Sequence, residues 1–101
     1  MAATHCIPML KALADTTRWR MVHELLGGPL TVGEITERLG VSQYNVSKHL
    51  RILREAGIVT TEKEGRSVEC RVTPAFRRRL SRNQNVLDLG CCTFRFDEPL
   101  K

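Results

Sequence analysis

Aromatic residues are scarce in this chain, with one Trp, one Tyr and three Phe among 101 residues. That is ordinary for a small helical domain and thin for an enzyme pocket, which leans on aromatic walls. No Cys-x-x-Cys opens a helix and no base is placed to activate a nucleophile, so a dithiol oxidoreductase, or any other enzyme, is not expected. No apolar run approaches the ~20 residues that a membrane helix needs. The opening MAATHCIPML is too short and too polar for a signal sequence. A cytoplasmic protein that stays off membranes is the resulting expectation. Internal repeats and low-complexity tracts are missing, and no organic cofactor is expected. Acidic residues are outnumbered, 11 against 16 Lys and Arg, leaving a net charge of +5. That balance suits a polyanionic partner. A chain of this length forms one domain with a modest core and gains from dimerisation.

What the chain does carry is a pair of capped helices, LTVGEITERLGVSQYNVSKHLRILREAG, over 30–57. Thr31 followed by Glu34 makes a capping box. Val32, Ile35 and Leu39 form one apolar stripe, and Gly40 supplies the left-handed residue that ends the helix. Ser42 is the next N-cap. Val46, Leu50 and Leu53 are the buried stripe of the second helix, which Gly57 closes. Two helices joined by a three-residue turn containing Gly are the helix-turn-helix pattern. If the stripe faces inward, Gln43, Tyr44, Ser47, Lys48 and Arg51 face outward, with no carboxylate before Glu55. Such a helix lies in the major groove with its N-terminal residues, Ser42 among them, nearest the bases. Gln43 can read adenine and Ser47 either base type, while Lys48 and Arg51 can take guanine or phosphate. The bland alternative is the solvated face that any surface helix needs.

The rest of the chain frames that pair. A short helix is predicted over Ile7 to Leu13, with Pro8 in its first turn. A second, N-capped by Asp15, runs to Leu26 with Trp19, Val22, Leu25 and Leu26 inward. His23 in that helix has no metal-ligating residue type at i±3 or i±4 and reads as an ordinary surface or core-edge histidine. After Gly57 the period changes to two. Ile58 to Thr61 reads as a strand, Glu64-Gly65-Arg66 as a turn, and Val68, Cys70 and Val72 as the inward side of a returning strand. A hairpin directly after a helix-turn-helix is a wing, whose tip offers Lys63 and Arg66 to the DNA backbone or minor groove. Residues 74 to 82 are predicted as a short helix carrying four arginines, read mainly as a solvated charged face. The fold class is therefore mainly α with a small β-hairpin, a winged helix-turn-helix over 1–82. A C-terminal extended or β segment follows over 83–101. There the apolar parity slips between Leu87 and Leu89 on one side and Phe94 and Phe96 on the other. The slip requires a bulge or turn at Gly90 to Thr93.

Residues 9 to 73 resemble the ArsR/SmtB family of winged-helix repressors. The resemblance is carried by LKALADTTRWRMVHELL (10–26), by the helix pair with its following strand (30–59) and by EGRSVECRVT (64–73). The family's Asp-Pro-Thr-Arg stands here as Asp15-Thr16-Thr17-Arg18. The resemblance implies a cytoplasmic homodimer that binds double-stranded operator DNA at an imperfect inverted repeat and leaves it when an inducer binds. The DNA contacts it implies fall on Gln43, Tyr44, Ser47 and Lys48, the face already derived. The family's Cys-x-Cys of arsenic sensors would fall near Val32 to Ile35, where there is no cysteine. Its Asp/His zinc set on a long C-terminal helix is missing too. The family pairs its first and last helices across the two-fold. Here Leu87, Leu89, Phe94 and Phe96 are expected to substitute as a strand against the partner or the wing.

Sensing then falls to the cysteines. Four of them without a secretory signal favour reduced thiols, metal ligation or redox sensing over a disulfide framework. Cys91-Cys92 resembles the vicinal C-terminal cysteines of some arsenic sensors of the family, with Cys6 of the N-terminal arm as a third ligand reached across a dimer. Thiolates select soft ions, so the expected inducer is As(III), Sb(III) or another thiophilic ion. Cys70 reads as a small buried hydrophobe. The rival readings are a redox- or persulfide-sensing repressor, a winged-helix regulator with structural cysteines, and a winged-helix module that binds proteins and no DNA.

Overall fold

The computed structural model describes residues 6–82 and 86–95. Its elements are α1 (Ile7–Leu13), α2 (Thr16–Leu26), β1 (Leu30–Thr31), α3 (Val32–Leu39), α4 (Gln43–Glu55), β2 (Val59–Glu64), β3 (Ser67–Val72), α5 (Pro74–Arg77), β4 (Val86–Asp88) and β5 (Thr93–Arg95). The class is the expected one, mainly helical with a small antiparallel wing. Phe96 and the residues after it lie outside the described residues.

Local chemistry sets each boundary. Pro8 sits in the first turn of α1, with Cys6 at its N-cap. The Asp15 carboxylate accepts the Arg18 backbone N–H at 3.0 Å and starts α2. Thr31 and Glu34 close a full capping box at the head of α3, and Gly40 ends it at φ +70°. The Ser42 hydroxyl accepts the Asn45 backbone N–H at 3.1 Å, so α4 starts where the sequence indicated. Val46, Leu50 and Leu53 of α4 are buried against Met21, Val22 and Leu25 of α2 and Ile35 of α3 in one core. A side chain of this kind contributes about 1.5–3 kcal/mol when it leaves water. Trp19 is only half-buried, packing edge-on against Phe94 at 5.6 Å, and Met21 takes the fully buried place beside it.

The sheet departs from the sequence reading in one respect. β2 and β3 pair from Val59↔Val72 to Glu64↔Ser67, with Gly65 at φ +59° in the two-residue tip. A third strand, β1, adds to the other side of β3 through Leu30↔Cys70 and Thr31↔Glu69. Two residues are too few to leave a period in a sequence, so β1 carries no sequence signal of its own. It ties the head of α3 to the base of the wing.

The C-terminal part corrects two expectations. The helix after the wing is Pro74–Arg77 alone, not 74–82. It buries Phe76 completely and then gives way to a turn, because Leu80 forms a β-bridge with Leu87. Among its described residues, the segment beyond does not pair with the wing. It folds back on itself as an antiparallel hairpin, Val86↔Arg95, Leu87↔Phe94 and Asp88↔Thr93. The parity slip is resolved by a turn, not a bulge. Gly90 adopts φ +95°, its N–H donates to the Asp88 carboxylate at 2.8 Å, and Leu89 N–H donates to the Cys92 carbonyl at 2.9 Å. Leu87 and Leu89 join the same core as the helices.

Asp15 gives a direct test of this local logic. The N–H of Arg18 holds its carboxyl below the ordinary value of 3.8, aided by the charge of Arg18 and opposed by partial burial. A depressed folded value stabilises the fold above the unfolded value, and that stability is lost as pH falls through the folded one. Asp15→Ala should lower stability by about 1 kcal/mol at neutral pH. Urea denaturation at neutral and acid pH should show the deficit shrinking at the acid end.

Candidate DNA-reading face and thiol cluster

With the stripe of α4 buried, Ser42, Gln43, Tyr44, Ser47, Lys48 and Arg51 are all exposed. Tyr44 is the extreme case, a large aromatic side chain left 75% exposed. Lys48 Nζ lies 6.0 Å from its ring centroid. Arg51 donates through Nε to Glu55 at 3.3 Å, an exposed i,i+4 pair worth about 0.3–0.5 kcal/mol and easily exchanged for a phosphate. The Ser42 oxygen is engaged in capping, while its hydroxyl proton remains available to donate. Lys63 and Arg66 are exposed near and at the wing tip.

The fold also joins parts that the sequence listed separately. Gln43 and Ser47 of α4 line one open groove of about 330 Å³ together with Arg66, Ser67 and Val68 of the wing. Thr31, Val32 and Gly33 at the head of α3 form its third side, a contribution with no signal of its own in the sequence. Lys63 is not among its lining residues. The arginines of 77–82 stand elsewhere. Thr73, just before α5, donates its hydroxyl to the Gly57 carbonyl at 2.8 Å, at the far end of α4 from Gln43. Thirteen residues of helix separate the two ends, which is about 20 Å.

Three of the cysteines form a second assembly. Cys6 and Cys91 are joined in a disulfide with a Cα–Cα separation of 6.4 Å. The Cys92 sulfur lies 3.7 Å from that of Cys91 and remains a free thiol. This differs from the expected reduced thiols, and it brings Cys6 to Cys91 within one chain. The reason is the docking of the β4–β5 hairpin. Leu87 and Leu89 enter the core and Phe94 packs on Trp19, which carries the hairpin loop to the N-cap of α1. Cys6 is 2% exposed, while Cys91 at the loop is exposed. Among the described residues, no set of three or more Cys, His, Asp or Glu is arranged to hold a metal ion.

Cys70 takes no part. It is fully buried on the central strand β3, and burial pushes its thiol up to about 11. His23 is exposed on α2. His49 and Arg18 are the polar pair that sequence reasoning did not connect. An Arg18 guanidinium N–H lies 3.0 Å from His49 Nδ1, and Arg18 Nε donates to the Ala12 carbonyl at 2.6 Å.

Residues 15–61 match the family described as bacterial regulatory protein, arsR family. The solved structure of HlyU from Vibrio cholerae N16961 superposes with a TM-score of 0.68 at 37% identity, over 70% of this chain and 77% of that one. The chain belongs to the ArsR family. The transcriptional repressor BigR from Xylella fastidiosa also superposes with a TM-score of 0.68, at 34% identity, over 72% of this chain and 74% of that one. The HTH-type transcriptional regulator NmtR of Mycobacterium tuberculosis is 39% identical over 67 residues, 66% of this chain and 56% of the relative. The chain thus spans little more than half the length of that regulator. The family is one of winged helix-turn-helix transcriptional regulators, not of enzymes.

Differential alkylation of the reduced native protein should separate the two kinds of cysteine. A thiolate reagent such as iodoacetamide is expected to label Cys91 and Cys92 first. Cys70 should stay unlabelled until denaturation, because the thiolate is the reactive species and burial suppresses it. Early labelling of Cys70 by peptide mass analysis would contradict its assignment to the core.

Proposed function

We propose that the protein is a dimeric repressor that binds inverted-repeat operator DNA through α4 and the wing, and is released when the Cys6–Cys91 dithiol is oxidised. Gln43 and Ser47 read base edges, Tyr44 and Lys48 contact the adjoining bases and backbone, and Arg51, Lys63 and Arg66 hold phosphates. The observation that carries the thiol part is the meeting of Cys6 and Cys91 within one chain, 85 residues apart in sequence. A regulator works where DNA is, in a reducing compartment, and a disulfide there is usually transient and redox-sensing. The step is balanced by its oxidant. Cys6 and Cys91 lose two protons and two electrons to a peroxide or a low-molecular-weight disulfide, and an S–S bond forms. The bond ties the hairpin to α1 and changes the setting of α4. In a dimer the two reading helices must sit about 34 Å apart, one turn of DNA, so a small change in each is enough to spoil the fit.

A second reading rests on the third sulfur. In the reduced chain Cys92 stands beside Cys91, and trivalent arsenic or antimony would take Cys6, Cys91 and Cys92 as three soft thiolate ligands. The two readings part at Cys92. Cys92→Ser should leave release by diamide intact and abolish release by arsenite if three thiolates are needed. Cys91→Ser should abolish both. Operator release after Cys91→Ser that matches the wild type with both reagents would remove the thiol switch altogether, and retained release with one of them would remove the corresponding reading.

The DNA face has its own measurement. Gln43→Ala should reduce discrimination between DNA sites more than overall affinity. Lys48→Ala should weaken binding to all sequences and lower the salt slope by about one. Titrations at several salt concentrations that leave both variants like the wild type would place the reading face elsewhere.

A further inference from the structure

The Asp15-Thr16-Thr17-Arg18 motif is not used by the DNA face or by the thiols, yet its arginine touches the elements that carry both. The Arg18 backbone is fixed at the head of α2 by the Asp15 carboxylate, at 3.0 Å. Its guanidinium then spans two neighbours. Nε donates to the Ala12 carbonyl, in the last turn of α1, at 2.6 Å. A terminal nitrogen reaches His49 Nδ1, on α4, at 3.0 Å. A guanidinium has donors only, so Nδ1 must be the acceptor and the ring proton must sit on Nε2. Cys6 stands at the other end of α1, as its N-cap, and its carbonyl accepts the Leu10 N–H at 2.8 Å. The path from the disulfide to the reading helix is therefore one helix of seven residues and one side chain.

We infer that Arg18 and His49 are positioning residues that transmit the state of the Cys6–Cys91 pair to the reading helix. The inference rests on the thiol reading above. Formation of the disulfide fixes the N-terminal end of α1. A shift of α1 displaces the Ala12 carbonyl, Arg18 follows because Nε is bonded to it, and His49 is pulled or released with the guanidinium. His49 is half-buried on α4, next to the exposed Lys48, so its displacement rotates the face that carries Gln43, Ser47 and Lys48. Neither residue touches DNA or sulfur in this account. The coupling is read as a change in DNA affinity between the two thiol states.

The test compares wild-type protein with His49→Leu and His49→Asn, each full-length. The ligand is a duplex selected from a random pool by the reduced wild-type protein. Affinity is measured by fluorescence anisotropy at fixed salt, after reduction with a phosphine and after oxidation with diamide. The wild type should bind about tenfold or more weaker when oxidised, within the usual range of allosteric coupling. His49→Leu should bring the oxidised-to-reduced ratio to about one while the reduced protein still binds. His49→Asn should restore it, because its side-chain oxygen accepts where Nδ1 does. Loss of coupling in Leu with recovery in Asn is what a merely structural role would not produce. A wild-type ratio retained by His49→Leu overturns the latch and leaves the thiol reading intact. A wild-type ratio of one overturns the thiol reading and the latch with it. The wild type supplies a readout without substitution, since the ¹⁵N shift of His49 Nδ1 should differ between oxidised and reduced protein. An unchanged shift also overturns the latch.

Discussion

Val46, Leu50 and Leu53 leave water together, and the helix that carries them is rigid, so the remaining side chains of α4 have no freedom in where they point. Gln43, Tyr44, Ser47 and Lys48 face outward as a geometric consequence of that burial. Everything around α4 serves to hold this orientation. The capping box at Thr31 and Glu34 fixes the helix before it, Gly40 permits the turn, and Ser42 starts the reading helix in register with the stripe. The wing is placed by the same core through Cys70 and Val72 of β3, which brings Arg66 into the groove with Gln43 and Ser47.

The proposed thiol switch draws on none of the residues that line this groove. The thiols that meet lie where α1 and the C-terminal hairpin join, while the buried thiol of the sheet is silenced by its surroundings. The division has a physical basis. A reading face must be preorganised and unchanging in its donors and acceptors, whereas a switching pair needs one reachable member, and here that member is Cys91. A close-packed interior transmits a displacement instead of absorbing it.

What the sequence made legible were features written in short-range patterns. Caps and the 3.6-residue period located α2, α3 and α4, and the change to a two-residue period located the wing. The outward face of α4 followed from its inward stripe. Features decided by tertiary contact were not legible. β1 is two residues long and exists because β3 offers it an edge. The helix after the wing stops at Arg77 because Leu80 is recruited by Leu87, a partner that local propensity does not reveal. The parity slip at Leu89 and Phe94 pointed to Gly90–Thr93, but whether the chain bulged or turned depended on what β5 could pair with, and it pairs with β4. The meeting of Cys6 with Cys91 and the bond between Arg18 and His49 span 85 and 31 residues, beyond the reach of any periodicity.

The bond between Cys6 and Cys91 has a meaning apart from any signal. It closes a loop of 85 residues and turns nearly the whole described chain into a ring. On the chain-entropy view, such a closure removes about 4–5 kcal/mol of freedom from the unfolded chain at 25 °C. That is comparable to the whole stability of a small domain. The bonded form is therefore harder to unfold and harder for a protease to engage than the dithiol form.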